Sequence, residues 1–115
     1  MTLEFYEKVL TLILEEYVNS SLEYIEKSLI DPSYFQKELV DKVRNMKIII
    51  YSNDHEPPHF HVLSNDNSIN AKFSILTGDL ISGDISTKDQ KRIKAFYKSM
   101  KTQRILKKIW EKKYD

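Results

Sequence analysis

All three histidines of the chain, His55, His59 and His61, fall within one seven-residue stretch, His-Glu-Pro-Pro-His-Phe-His. Imidazoles are the side chains best suited to proton transfer near neutral pH and are common metal ligands. Acids flank the first histidine, Asp54 before it and Glu56 after it. The Pro57-Pro58 pair fixes two φ angles and pushes Glu56 away from helix, so this segment is expected to be a stiff extended rod holding His55 at a set distance from His59. On a strand, residues two apart share a face, which would place His59 and His61 side by side. Such a pair, with a third histidine from a neighbouring loop, can chelate Zn²⁺ or another divalent ion facially. Asp54 or Glu56 would then be a fourth ligand, an acceptor for an imidazole N–H, or a general base. Without metal, one histidine can act as base and another as acid, with a lysine stabilising an anionic transition state. The catalytic candidates are therefore His55, His59, His61, Asp54 and Glu56, and the metal candidates are the three histidines. The same residues also suit a plain turn, with the histidines solvated or hydrogen-bonded and the prolines bending the chain.

The elements that must position this segment are legible in the hydrophobic periodicity. Leu3, Tyr6, Leu10, Ile13 and Tyr17 recur at helical spacing after Thr2, a suitable N-cap. The stripe resumes one position out of phase as Val18, Leu22, Ile25 and Leu29, which implies a bend or break at Asn19-Ser20-Ser21. Asp31-Pro32 reads as a helix start, and Phe35, Leu39 and Val43 mark a short amphipathic helix ending near Asn45. The period then changes. Ile48 to Tyr51 is a β-branched run that suggests a strand covered on both faces. His59 to Leu63 and Ile69 to Ile75 alternate as strands, separated by the turn chemistry of Asn65-Asp66-Asn67. A tight hairpin at Thr77-Gly78-Asp79 leads into a fourth strand, Leu80 to Ile85.

Thr87-Lys88-Asp89-Gln90 has capping-box form and opens a long final helix. Ile93, Phe96, Met100, Gln103, Leu106 and Trp110 form its apolar stripe, with lysines opposite. Ile105 and Ile109 lie off that stripe, which implies either a helix break near Thr102 or a contact surface for another chain. The fold class expected is α+β: N-terminal helices over residues 1–45, then an antiparallel meander of about four strands and a C-terminal helix packed on it over residues 46–115, the whole forming one compact unit.

Composition narrows the class of protein. A chain of 115 residues, 41% apolar and 30% charged, suits one soluble domain. With no cysteine there are no disulfides and no thiolate metal sites. No apolar run approaches the length of a membrane span, and the N-terminus lacks the layout of a signal peptide, so a cytoplasmic location is expected. The net charge of +1 hides a strong asymmetry. Residues 1–45 hold nine acids against five bases, residues 46–87 five against two, and residues 88–115 three against eleven. The basic C-terminal helix is either a solvated face or a phosphate-contacting surface, with Lys94, Lys98, Lys101 and Arg104 as ligand candidates. Of its basic residues, only Arg92 and Arg104 could make bidentate contacts.

Asp-His-Glu-Pro-Pro-His-Phe-His-Val lies between an Ile-rich strand and the segments Ala-Lys-Phe-Ser-Ile-Leu, Asp-Leu-Ile-Ser-Gly-Asp-Ile and Leu-Lys-Lys-Ile-Trp. This arrangement resembles a small bacterial family known only as a domain of unknown function. The resemblance covers about residues 46–112 and rests on Asp54, His55, Pro57, Pro58, His59, Phe60, His61 and Val62, then Gly83, then a helix ending in Trp110. It implies a gene often placed beside another small uncharacterised protein, as in toxin–antitoxin or defence modules. It transfers no catalytic assignment. The acidic helical region in front departs from the short family form. Two functions follow as expectations. One is a partner-binding or regulatory component of such a module, engaging a protein, a second copy of itself, or nucleic acid through the basic helix. The other is a histidine-centred hydrolase, a nuclease or phosphodiesterase, using a divalent ion or acid/base chemistry alone.

Overall fold

The computed structural model describes residues 2–34, 44–50 and 58–114. In chain order its elements are α1 (Leu3–Val18), α2 (Leu22–Ile30), β1 (Met46–Ile49), β2 (His59–Ser64), β3 (Asn70–Ser74), β4 (Leu80–Asp84), α3 (Thr87–Lys98) and α4 (Met100–Tyr114). The strands form one antiparallel sheet in the order β1-β2-β3-β4, so the meander and the α+β class are as the sequence predicts. The predicted helix over Phe35 to Val43 lies outside the described residues. Among the described residues no helix is long and apolar enough to cross a membrane.

Thr2 caps α1 by accepting from the Phe5 N–H at 3.1 Å. The polar triplet does break the helix. Asn19 closes α1, and its side chain docks the chain entering β1, accepting from the Arg44 N–H at 2.8 Å and donating to the Arg44 carbonyl at 3.2 Å. The predicted helix start at Asp31-Pro32 is described only as far as residue 34. Asp31 closes α2 and its carboxylate accepts from the Ser33 N–H and hydroxyl, so a turn follows.

The Ile run proves to be an edge strand rather than a strand covered on both faces. Met46 and Ile48 are buried, Lys47 is exposed and Ile49 half-buried. Its outer edge is sealed by α1: the Ile48 N–H donates to Thr11 Oγ1 at 3.0 Å and the Ile50 N–H to Glu7 Oε2 at 2.6 Å. Side chains from the helix thus satisfy backbone donors that would otherwise template a further strand.

One core joins the sheet to the helices. Phe60 stacks on Phe73 at 5.6 Å between centroids and meets Phe96 of α3 edge-on at 6.3 Å, while Tyr17 of α1 reaches the same ring. Each aromatic pair adds roughly 0.5–1.5 kcal/mol beyond the apolar area it buries. Tyr6 and Tyr17 are core residues. At the fourth strand, Gly83 has φ +116° and sits against Ala71; a Cβ there would come within 2.3 Å of the Asn70 carbonyl oxygen.

The final helix is two helices. Ser86, one residue before the predicted capping box, accepts from the Asp89 N–H and opens α3. The break falls at Ser99, three residues before Thr102, and Gln103 spans it by donating to the Tyr97 carbonyl. The break shifts the buried stripe, so that Thr102, Leu106 and Ile109 are buried while Met100 and Gln103 are exposed. Ile109 is therefore core, and half-buried Ile105 packs against it, which removes the off-stripe pair as a contact surface.

Candidate functional site

Alternation on β2 divides the motif between two environments. Phe60, Val62 and Ser64 point into the core. His59, His61 and Leu63 point the other way, onto a face that none of the described helices covers. That face also carries Lys47 and Ile49 from β1, Asn70 and Lys72 from β3, and Ser82 and Asp84 from β4. Most of it is exposed or half-buried. His61 stands in register with Ile49 on one side and Lys72 on the other, and His59 with Ser74.

The two imidazoles lie side by side, with ring centroids 5.3 Å apart and planes tilted by 57°. His59 is buried at 7% exposure and His61 half-buried, so the pair is set into the sheet and not loose on its surface. Pro58 continues the ladder by one residue, its carbonyl accepting from the Ile75 N–H at 3.0 Å. This fixes the start of β2 without a proline N–H being needed. Beside His59, the Ser74 hydroxyl accepts from the Leu76 and Thr77 N–H groups and holds the turn that follows.

The structure thus brings together His59 and His61. Asp54, His55 and Glu56 lie outside the described residues. Among the described residues no group of three His, Cys, Asp or Glu side chains is placed to hold a metal ion. What the described pair offers chemically is two adjacent imidazoles with an ammonium on the neighbouring strand. That combination can exchange protons or grip a polar or anionic group.

A groove of about 860 Å³ opens between α1 and β1, lined by Leu3, Glu7, Lys8, Leu12, Lys47 and Ile49 among others. Ile49 links it to the histidine face. Leu12 is 68% exposed within it, so the groove presents unpartnered apolar surface.

The basic candidates separate. Lys94 is occupied in holding the β3–β4 turn to α3: its Nζ donates to the Thr77 carbonyl at 2.7 Å and Asp79 Oδ1 at 3.0 Å. This contact holds the Asp79 carboxyl below its usual range. Arg92, expected to be available for bidentate contacts, donates instead to Asp89 at 2.9 Å and to the Ser20 carbonyl at 2.9 Å. Lys98, Lys101 and Arg104 are exposed.

Sequence reasoning missed the cluster that Arg92 joins. Arg44 grips Asp89 with two parallel bonds of 2.7 Å and also caps α1 by donating to the Val18 carbonyl at 2.5 Å. Burial raises the Asp89 carboxyl pKa, but the two guanidinium groups outweigh it and leave it lowered. The one early sign was an acid at the start of a strongly basic helix. Its partner Arg44 is 45 residues away in the chain, beyond any local pattern.

No curated protein and no solved structure matches the chain. A family model does match, over residues 45–111, which takes in the whole sheet, α3 and most of α4. The segment containing His59 and His61 is thus inside the matched region, and α1 and α2 precede it. The chain belongs to the family described as Domain of unknown function (DUF4160).

Proposed function

We propose that the protein is the partner-binding, regulatory half of a two-protein bacterial module of the toxin–antitoxin or defence kind, acting in the cytoplasm. It engages its partner through the face of the sheet that carries His59 and His61. The observation that carries this reading is the continuity of the histidine pair with an apolar groove: His61 neighbours Ile49, and Ile49 lines the space between α1 and β1. A buried and a half-buried imidazole beside exposed leucine and lysine give an interface both an apolar centre and polar groups to set its register. The acidic α1, which lines the groove, would adapt this member of the family to its own partner.

The test is co-expression with the protein encoded beside it, followed by purification through a tag on one chain. A complex of fixed stoichiometry is expected. Leu12→Asp and Ile49→Asp, both on the groove, should abolish co-purification while leaving the helical circular-dichroism signal intact. Failure of the wild-type pair to co-purify would contradict the reading.

A second reading draws on the imidazoles themselves. Two rings 5.3 Å apart, with Lys72 across from His61, suit acid/base cleavage of a phosphodiester, with Lys72 steadying the developing negative charge. A metal form would need a third ligand, for which His55, Asp54 and Glu56 are the candidates. Elemental analysis of untagged protein separates the two forms. Absence of metal together with no cleavage of a bis-nitrophenyl phosphate or an oligonucleotide would exclude both.

A further inference from the structure

The C-terminal helices carry a second surface, distinct from the histidine face. On α4, Lys101, Arg104, Lys107, Lys108 and Lys112 are all exposed, and Glu111 is the one acid in the helix. Lys101, Arg104, Lys108 and Lys112 follow at spacings of three and four and so share one stripe. At 1.5 Å per residue that stripe runs about 17 Å, with a cation every 5–6 Å or so. Among the described residues no ion pair engages Lys98, Lys101 or Arg104, in contrast to Arg92 and Lys94 on α3.

A groove of about 430 Å³ adjoins the stripe, where α4 passes the β3–β4 turn. Leu76, Tyr97, Leu106 and Trp110 line it, together with Arg104 and Lys107. Leu76 is 60% exposed and Trp110 half-buried, so the groove presents apolar and aromatic surface to solvent. Arg104 belongs to both features, and Lys107 lines the groove beside it. Whatever occupies the groove therefore has its anionic part held by the same residues.

We propose that stripe and groove together bind single-stranded nucleic acid, the cations holding successive phosphates and one base entering the groove against Trp110. A regular row of cations matches a polymer with one charge on every unit. An aromatic floor matches a flat unpaired base, and stacking of this kind tolerates any sequence. A duplex offers the phosphates but keeps its bases stacked inside, so it uses the stripe and not the groove.

Trp110 is the only tryptophan of the chain, so its fluorescence reports on the groove without any substitution. The full chain is titrated with a fifteen-nucleotide oligo(dT) at low and moderate salt. The tryptophan emission should be quenched on binding. For three or four phosphate contacts, affinity should fall roughly 20- to 50-fold between 50 and 200 mM salt. Arg104→Gln and Lys108→Gln should each reduce the magnitude of the salt slope by about 0.7. A duplex of equal length should bind without quenching, and Lys88→Gln, an exposed lysine at the far end of α3, should leave the oligo(dT) titration unchanged. No quenching by oligo(dT) at 50 mM salt would overturn the proposal. So would equal quenching by polyglutamate, which would assign the groove to an acidic peptide.

Discussion

Phe60 and His61 are adjacent on β2, yet they face different media. Phe60 is 1% exposed and touches both Phe73 and Phe96, so its side chain holds sheet to helix. His61 faces away from the helices, half-buried between Ile49 and Lys72. The contrast shows that one short motif serves two purposes at a period of two: the residues at 60 and 62 build the core, and those at 59 and 61 furnish the opposite face. A sheet with one covered side can hold functional groups rigidly without placing them in the core.

The contrast can be broken most severely from the covered side. Phe60→Ala removes a fully buried ring from the centre of the three-phenylalanine cluster and should cost about 4 kcal/mol, read as a lowered urea midpoint. Next comes the polar clamp that ties the helical layer to the start of β1. Asp89→Asn leaves Arg44 and Arg92 facing a neutral amide and should cost about 3 kcal/mol at pH 7. Its pH dependence follows from the lowered carboxyl pKa. The ionic contribution is complete above the ordinary carboxylate range and is lost as pH falls below about 4, through the folded value. The difference in stability between wild type and Asp89→Asn should therefore shrink from pH 6 to pH 3.

Gly83→Ala should cost about 2 kcal/mol, since its φ is positive and the new Cβ would press on backbone atoms of Asn70 and Ala71, which cannot yield as a flexible side chain would. A smaller, opposite effect is expected on the helical side, where the Thr102 hydroxyl is fully buried with no hydrogen-bond partner among the described residues. Thr102→Val keeps the shape and removes the unmet group, and should raise stability by about 1 kcal/mol in the same urea assay. His61→Ala should be nearly silent, within about 0.5 kcal/mol, as for a residue outside the core.

Much of this architecture was legible in local patterns. The meander follows from alternation and turn chemistry, because its pairings join neighbours in sequence. The break at Asn19-Ser20-Ser21 was visible as a phase slip. Most of the readings that failed depend on distant residues. The Ile run could not announce that Glu7 and Thr11 would seal its edge. The apolar stripe of the last helix seemed continuous because nothing local marked Ser99 as the break, although Ile105 and Ile109 recorded its effect on the phase. Arg92 reads as available from local spacing, yet Asp89 and the Ser20 carbonyl occupy its guanidinium. For the site, strand geometry alone placed His59 and His61 together. His55, Asp54 and Glu56 depend on the segment before β2, outside the described residues.

On this reading the histidine face contributes to recognition and little to folding. This is tested most directly by calorimetric titration of the co-purified partner against wild-type protein and His61→Ala, with urea midpoints measured on the same samples. At least a tenfold loss of affinity with an unchanged midpoint is expected. An unchanged affinity, or a loss matched by an equal fall in stability, would contradict it.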